Sequence, residues 1–330
     1  MLRSLVAPGN VTDGEEFILR RNLTTESLET AMAAGDIMWM DIIDPDEKEI
    51  LWLEKVLNLH PAVVSDIKRE DRRPTLLIYP EYLFLSLFQP HFKVNKLTSE
   101  EIHCLIGERF FVTIRKVGAN TVDIAYERAA QSSEYWRRGV AYLLYTTIQF
   151  VVDAYYPMLD RISNQLNHLE ERAMLNGGKI AQQDVYRVKQ QLIYLRGMVA
   201  PQREVLSSVI GEARLSRSNE DRDLFRHVYE RLLRVYDVID SQRDLSSNVL
   251  DLIDSQEASK LGNAVNRLTI FSMMFLPLTF IVGLFGINFI TTSPVLVIPA
   301  SGLIVLVTII SLTVGSAIAM AWFFRRQGWL

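Results

Sequence analysis

One cysteine, Cys104, stands among 330 residues, which excludes a disulfide framework and a clustered-cysteine zinc site. Basic residues number 35 against 39 acidic ones, for a formal net charge of −4. A surface able to neutralise a phosphate backbone is therefore lacking, and nucleic acid is not expected as a partner. Met1 to Asn10 holds one Arg and no apolar core, and Asp13, Glu15 and Glu16 follow, so neither a signal peptide nor a transit peptide is expected. No phosphate-binding glycine loop, nucleotide motif or paired catalytic carboxylate stands out, which argues against an enzyme and against ATP-driven transport within this chain. The largest absence is of charge. From Leu268 to Phe324, 57 consecutive residues include no Asp, Glu, Lys, Arg or His. That is more than twice the roughly 20 apolar residues that span a bilayer. A wholly soluble protein is excluded, and so is a transporter with many spans.

What is present divides this uncharged stretch in two. Leu268 to Ile290 is long enough for one span, Thr291-Thr292-Ser293-Pro294 reads as a turn, and Val295 to Phe324 supplies a second span. Lys260 and Arg267 precede the first span, Arg325 and Arg326 follow the second, and the turn carries no charge. Both termini are therefore expected in the cytoplasm and the turn outside, in an inner (plasma) membrane. Trp322 and Trp329 sit where an aromatic belt would place them. Two helices cannot enclose a solute path, so conduction requires several copies around a common axis, with the bilayer as the other partner.

The residues before Leu268 carry a net charge of −6 and an ordinary soluble composition. Phe17 to Leu19, Ile37 to Ile43, Leu76 to Tyr79, Tyr82 to Phe88, Glu101 to Ile106 and Phe110 to Ile114 read as strands, with helices over Thr24 to Ala34 and after Asp44-Pro45 through Leu57. Strand signals stop near Asn120. Ala141 to Leu175 and Ile180 to Ile210 are helical patterns joined at Asn176-Gly177-Gly178, and Ser218 or Asn219 caps a third helix with no Pro or Gly until Gly262. The expected fold class is α+β followed by all-α. A cytoplasmic α/β domain covers 1–118, a cytoplasmic helical region 119–217 and a stalk helix 218–267. Transmembrane helix 1 covers 268–290, an external loop 291–294, transmembrane helix 2 295–324 and a basic tail 325–330.

The stalk carries a seam. Counting back in sevens from Thr279 gives Ser272, Val265, Ala258, Asp251, Asp244 and Asp237. The series offset by three reads Leu276, Thr269, Gly262, Ser255, Asn248, Ser241 and Arg234, with Gly283 one heptad beyond Leu276. In a dry coiled coil these positions would be Leu, Ile or Val. Here the apolar face is instead carried by Leu232, Val235, Ile239, Val249 and Ile253. Two placements fit the acidic row, a solvated outer face or the axis of a ring, and the small residues also suit close helix packing. On the axial placement Asp237, Asp244 and Asp251 form a negative vestibule. It leads to a path lined by Thr269, Ser272, Leu276, Thr279 and Gly283, which suits cations.

The first span ends in Pro277-Leu278-Thr279-Phe280-Ile281-Val282-Gly283-Leu284-Phe285-Gly286-Ile287-Asn288. This segment resembles the CorA/ZntB superfamily of divalent cation transporters, whose signature is Gly-Met-Asn at that place, with Ile287 here in the middle position. Arg325 to Leu330, ending in Trp-Leu, is similar to the family's basic ending. His60-Pro61, Asp66, Arg73-Pro74 and Tyr82-Leu83-Phe84 are similar to its amino-terminal pattern. The resemblance implies a funnel-shaped homopentamer moving Mg²⁺ or Zn²⁺, or Co²⁺ or Ni²⁺, with Gly286, Ile287 and Asn288 as the selectivity filter and no cofactor beyond the transported or regulatory cation. Two departures bear on the ion. The loop after Asn288 has none of the acids common in magnesium-type members. His227 stands where those members carry a metal-sensing Asp, and with Glu230 one turn away it would favour a softer ion such as Zn²⁺; an exposed helix histidine is the other reading. A non-conducting sensor or adaptor on the same scaffold has no need for Thr269, Ser272 and Thr279 in phase with the filter.

Overall fold

The structure, a computed structural model, describes residues 1–9, 17–69, 73–93, 96–176, 179–285 and 302–327. Gly286, Ile287 and Asn288, the external loop, Val295 to Ser301 and Trp329 lie outside them. The chain forms two units, Met1–Leu250 and Asp251–Leu330.

The first unit is built on seven strands: β1 (Leu2–Ala7), β2 (Arg20–Arg21), β3 (Ile37–Ile43), β4 (Thr75–Ile78), β5 (Leu83–Lys93), β6 (Lys96–Ile106) and β7 (Phe110–Arg115). They make one sheet in the order β2-β1-β3-β7-β6-β5-β4. Only β3 and β7 run parallel; the other neighbours are antiparallel. Short helices α1 (Thr25–Ala33), α2 (Glu47–Leu57) and α3 (Pro61–Lys68) bury Leu28, Leu53 and Val63 with the sheet residues Met38, Met40, Phe84 and Val112. Local chemistry sets their starts. Thr24 caps α1, Asp46 and Glu49 form a reciprocal capping box on α2, and Pro61 opens α3, where its missing N–H costs nothing.

Helices α4 (Thr121–Gln131), α5 (Glu134–Arg137), α6 (Val140–Asp153), α7 (Tyr155–Asn176) and α8 (Lys179–Gly211) follow. Where one helix was expected from Ala141 to Leu175, there are two, broken at Ala154. Pro157 explains the break, because its ring clashes with the carbonyl four residues back and is tolerated only in a first turn. The strand expected at Phe17 to Leu19 falls instead at Arg20–Arg21, since β2 is an edge pairing with β1 over only two positions and Ile18 has nothing to cover it. The strand expected over Tyr82 to Phe88 runs on to Lys93, with Pro90 inside β5 opposite Ser99. Beyond Ser86 strand β4 no longer flanks β5, and the open side is closed by side chains. Gln202 Oε1 accepts from the Phe88 N–H at 3.0 Å, and the Tyr155 hydroxyl donates to the Phe88 carbonyl at 3.0 Å. Pro90 presents its nitrogen to that same side, so no ladder bond is lost.

Burial reaches ionisable groups in the sheet. His103 on β6 contacts Ser86 Oγ through Nδ1 at 3.3 Å and stacks on Phe84. Glu101 lies 3.8 Å from its Nε2. Desolvation nonetheless lowers the imidazole pKa to about 4, so the ring is neutral and the carboxylate is a neighbour, not an ion partner. With the folded pKa below the unfolded one, the unfolded chain binds the extra proton between the two, and stability falls as pH drops from about 6.5 towards 4. His103→Gln should flatten this part of a stability-versus-pH curve measured by thermal melting; an unchanged slope would remove His103 as its source.

Helix α9 (Asn219–Phe285) is a single 67-residue element, about 100 Å long at 1.5 Å per residue, and contains Pro277. Ser218 caps its first turn, accepting from the Asp221 N–H at 3.0 Å while Asp221 accepts from the Ser218 N–H at 3.1 Å. In the second unit, the end of α9 and α10 (Gly302–Arg326) are long and apolar enough to cross a membrane, and almost none of that surface is buried within the chain.

Candidate ion-conduction site

The stalk's two faces are separated by packing. Leu232, Val235, Ile239, Val249 and Ile253 are all buried. Polar tethers hold the Arg231–Ser247 stretch to α7 and α8. Tyr156 of α7 donates to the Arg231 carbonyl, Arg196 of α8 pairs with Asp240 at 2.9 Å, and Lys189 of α8 donates to Ser247 Oγ at 3.0 Å. The opposite face carries Asp237, Asp244 and Asp251, and all three are exposed. Asp240, one turn from Asp237, is compensated by Arg196 and Arg243, whereas Asp237, Asp244 and Asp251 form no ion pair among the described residues. Their negative charge is left uncompensated, with Arg234 the one cation in the two heptad series, also exposed.

In the second unit the two heptad series run on in the sequence. Thr269 is half-buried; Ser272, Leu276, Thr279 and Gly283 are exposed. Thr269 and Thr279 donate their hydroxyl protons to the Val265 and Phe275 carbonyls, each at 2.9 Å. Such bonding to the preceding turn lets a hydroxyl sit on an apolar helix without water, and leaves the oxygen lone pairs facing outwards as acceptors. Thr269, Ser272 and Leu276 also form one wall of a groove of about 530 Å³ whose other wall is Met320, Phe323 and Phe324 of α10. The groove is open: Leu276 remains 73% exposed. Thr279 and Gly283 stand clear of it.

His227 and Glu230, one turn apart on α9, are exposed. Among the described residues no three His, Cys, Asp or Glu side chains gather as a metal site, so this pair has no third such ligand among them. Beside it, Arg231 pairs with Asp153 at the end of α6. Burial raises the Asp153 pKa, against the opposing pull of Arg231 and the smaller one of His227.

Sequence reasoning missed a buried charge cluster that ties the sheet together. Asp41, central in β3, accepts from Arg3 Nε at 2.8 Å, Arg115 Nη2 at 3.0 Å and Thr113 Oγ1 at 2.6 Å. Asp123 of α4 bonds both arginines. The one available signal was an Asp inside the apolar run Ile37 to Ile43.

Comparison with known proteins places these parts in a family. The model of the family described as CorA-like Mg²⁺ transporter protein matches residues 34–326. The chain is 28% identical over 279 residues to the cobalt/magnesium transport protein CorA of Thermotoga maritima, covering 83% of this chain and 80% of that one. It is 24% identical over 323 residues to the zinc transport protein ZntB of Yersinia pseudotuberculosis, covering 93% and 92%. The structure of the CorA magnesium transporter from Methanocaldococcus jannaschii superposes with a TM-score of 0.79 over 99% of this chain and 98% of that one, at 18% identity.

Proposed function

The chain belongs to the CorA-like Mg²⁺ transporter family, and we propose that it moves divalent cations along a path lined by the first membrane helix of each copy in a homopentamer. It is a divalent metal cation transporter and not an enzyme; Mg²⁺, Zn²⁺ and Co²⁺ are the ions its relatives' names carry. The observation that carries the proposed path is the continuous α9, buried along one stripe and bare along the seam that holds Asp237, Asp244, Asp251, Ser272 and Thr279. Around a ring, that seam turns inward. Repeated carboxylates then attract cations to the mouth, and Thr269, Ser272, Thr279 and Gly283 offer small, oxygen-bearing walls with Leu276 as the apolar narrowing. The filter is Gly286-Ile287-Asn288, which meets a hydrated ion with carbonyl oxygens, because Mg²⁺ gives up its waters reluctantly. Both termini face the cytoplasm across the inner membrane, as the flanking Lys260, Arg267, Arg325 and Arg326 require. His227 and Glu230 are proposed as a regulatory contact completed by a ligand from a second copy.

The acidic row tests the inward placement. Asp237, Asp244 and Asp251 changed together to Asn should shrink the melting-temperature gain on adding divalent ion. The same change should blunt the salt dependence of flux, since screening over about 10 Å at 0.1 M has less field to remove. If both quantities stay at wild-type values, the row faces bulk solvent and the vestibule is wrong.

A further inference from the structure

Near the first turn of α9, away from the seam, a cavity of about 240 Å³ opens between the β6–β7 turn, the start of α6 and the α8–α9 connection. Four arginines line it: Arg109 from the turn, Arg138 just before α6, and Arg214 and Arg217 from the connection. Two acids, Glu108 and Asp221, share the wall, so lining cations exceed lining anions by two.

Backbone carbonyls orient Arg109 and Arg214 without cancelling their charge, while Arg138, Arg214 and Arg217 each also meet a carboxylate. Arg109 Nη1 donates to the Gly9 and Gly35 carbonyls, and no carboxylate pairs with it among the described residues. Arg214 Nη1 donates to the Tyr79 carbonyl at 2.7 Å and to that of Pro80 at 3.2 Å, while its Nε meets Glu212 at 3.2 Å. Arg138 pairs with Glu220 and lies 4.6 Å over the Tyr142 ring; Arg217 reaches Glu108 at 3.4 Å. Glu220 and Glu108 are 68% and 76% exposed, so water screens those two pairs; Glu212, at 14%, offsets Arg214 more fully, and the uncompensated charge in the cavity is that of Arg109. Backbone adds to it. Helix α6 starts after Gly139, at φ +78°, with no side-chain cap and no acid in its first turn, and Val140 and Ala141 line the cavity. Its first helical bonds are donated by Tyr142 and Leu143 to the Gly139 carbonyl, which leaves the two earlier amides as donors.

We propose that this cavity binds a phosphate-type oxyanion, held chiefly by Arg109, Arg138, Arg214 and Arg217. The planar guanidinium fork matches phosphate oxygens in pairs, which a lone cation does not. The volume is below the roughly 300 Å³ of a typical small-molecule pocket, so it accommodates a phosphoryl group and not a whole nucleotide. Binding there would lock the sheet, α6 and the root of α9 to one another. The site does not depend on which ion the protein moves, or on its moving one.

The test uses the purified full chain, freed of metal with EDTA and titrated with sodium phosphate against sodium chloride at equal ionic strength. Thermal melting should show a saturable rise with phosphate alone. Arg109→Gln and Arg217→Gln should each weaken the apparent Kd by about tenfold, the loss of one charge-assisted bond. Arg226→Gln, an arginine on α9 outside the cavity, should leave the Kd unchanged. Arg109→Gln also loses two backbone contacts, so its melting without phosphate is recorded. Arg217, more than half exposed, supplies a variant with little structural cost. Pyrophosphate and ATP, both in EDTA, separate a free anion from a nucleotide: pyrophosphate should raise melting and ATP should bind no more tightly than pyrophosphate does, and tighter binding of ATP would overturn the phosphoryl-sized site. No rise in the wild type, or an equal rise in the wild type and both cavity variants, overturns the site.

Discussion

Asn288→Ala is expected to abolish divalent flux, or reduce it at least a hundredfold, while the protein still assembles. The physical reason is multiplicity. One side-chain carbonyl per copy is removed, but in a ring every copy loses it at one level of the path, so a hydrated cation loses a whole circle of acceptors. Each hydrogen bond to a charged partner is worth roughly 1.5–3 kcal/mol, and losing even two of them costs a hundredfold or more in occupancy. Alanine cannot substitute, having no acceptor beyond its backbone. Flux in liposomes and size-exclusion chromatography should be measured on the same preparation. A normal rate in an intact oligomer would assign Asn288 to capping the end of its helix.

The largest effect on stability is expected from Asp41→Asn. Asp41 is fully buried and holds two guanidiniums, Arg115 at 1% exposure and Arg3 at 17%. Asparagine keeps the shape and removes the charge, so two cations are left facing each other with the half-exposed Asp123 as their remaining carboxylate. Breaking a buried charge pair by removing one partner costs roughly 3–5 kcal/mol. For a unit of about this size that corresponds to a fall in melting temperature on the order of 10 °C. Asp123→Asn, at 42% side-chain exposure, should cost much less, because water can replace the carboxylate. Equal losses in the two variants would contradict the account of the cluster as a buried network anchored on Asp41.

These two residues mark what could and could not be read from the chain. Asn288 stands out in the sequence because it follows Pro277-Leu278-Thr279-Phe280 on the first of two carboxy-terminal apolar stretches, a linear pattern; it lies outside the described residues, and its role is the proposal that the flux measurement tests. The role of Asp41 was not legible, since its partners lie 38 residues before it and 74 after it and meet only when β1, β3 and β7 pair. The same divide runs through the fold. The α9 stripe of Leu232, Val235 and Ile239 was visible in the periodicity, and it is buried. The helix break at Ala154 was hidden because a helical pattern continues through it, and only the geometry of Pro157 forces a new start. Strand β1 went unread because Leu2–Ala7 holds Arg3 and Ser4 among its apolar residues, and both are drawn in by partners distant in sequence: Arg3 by Asp41, and Ser4 Oγ by the Leu23 N–H. The arginine cavity was likewise beyond reach, its four cations being spread over 109 positions.

Transport itself is tested most directly by metal-specific flux into liposomes that contain only this protein. A cation-sensitive dye inside the vesicles should report entry of Mg²⁺, Zn²⁺ or Co²⁺ down its gradient, without ATP, and faster when the interior is held negative. Uptake of at least one of these ions, absent from protein-free vesicles and lost in Asn288→Ala, is the result predicted. Vesicles that hold correctly assembled protein yet admit none of the three at more than the protein-free rate would contradict it.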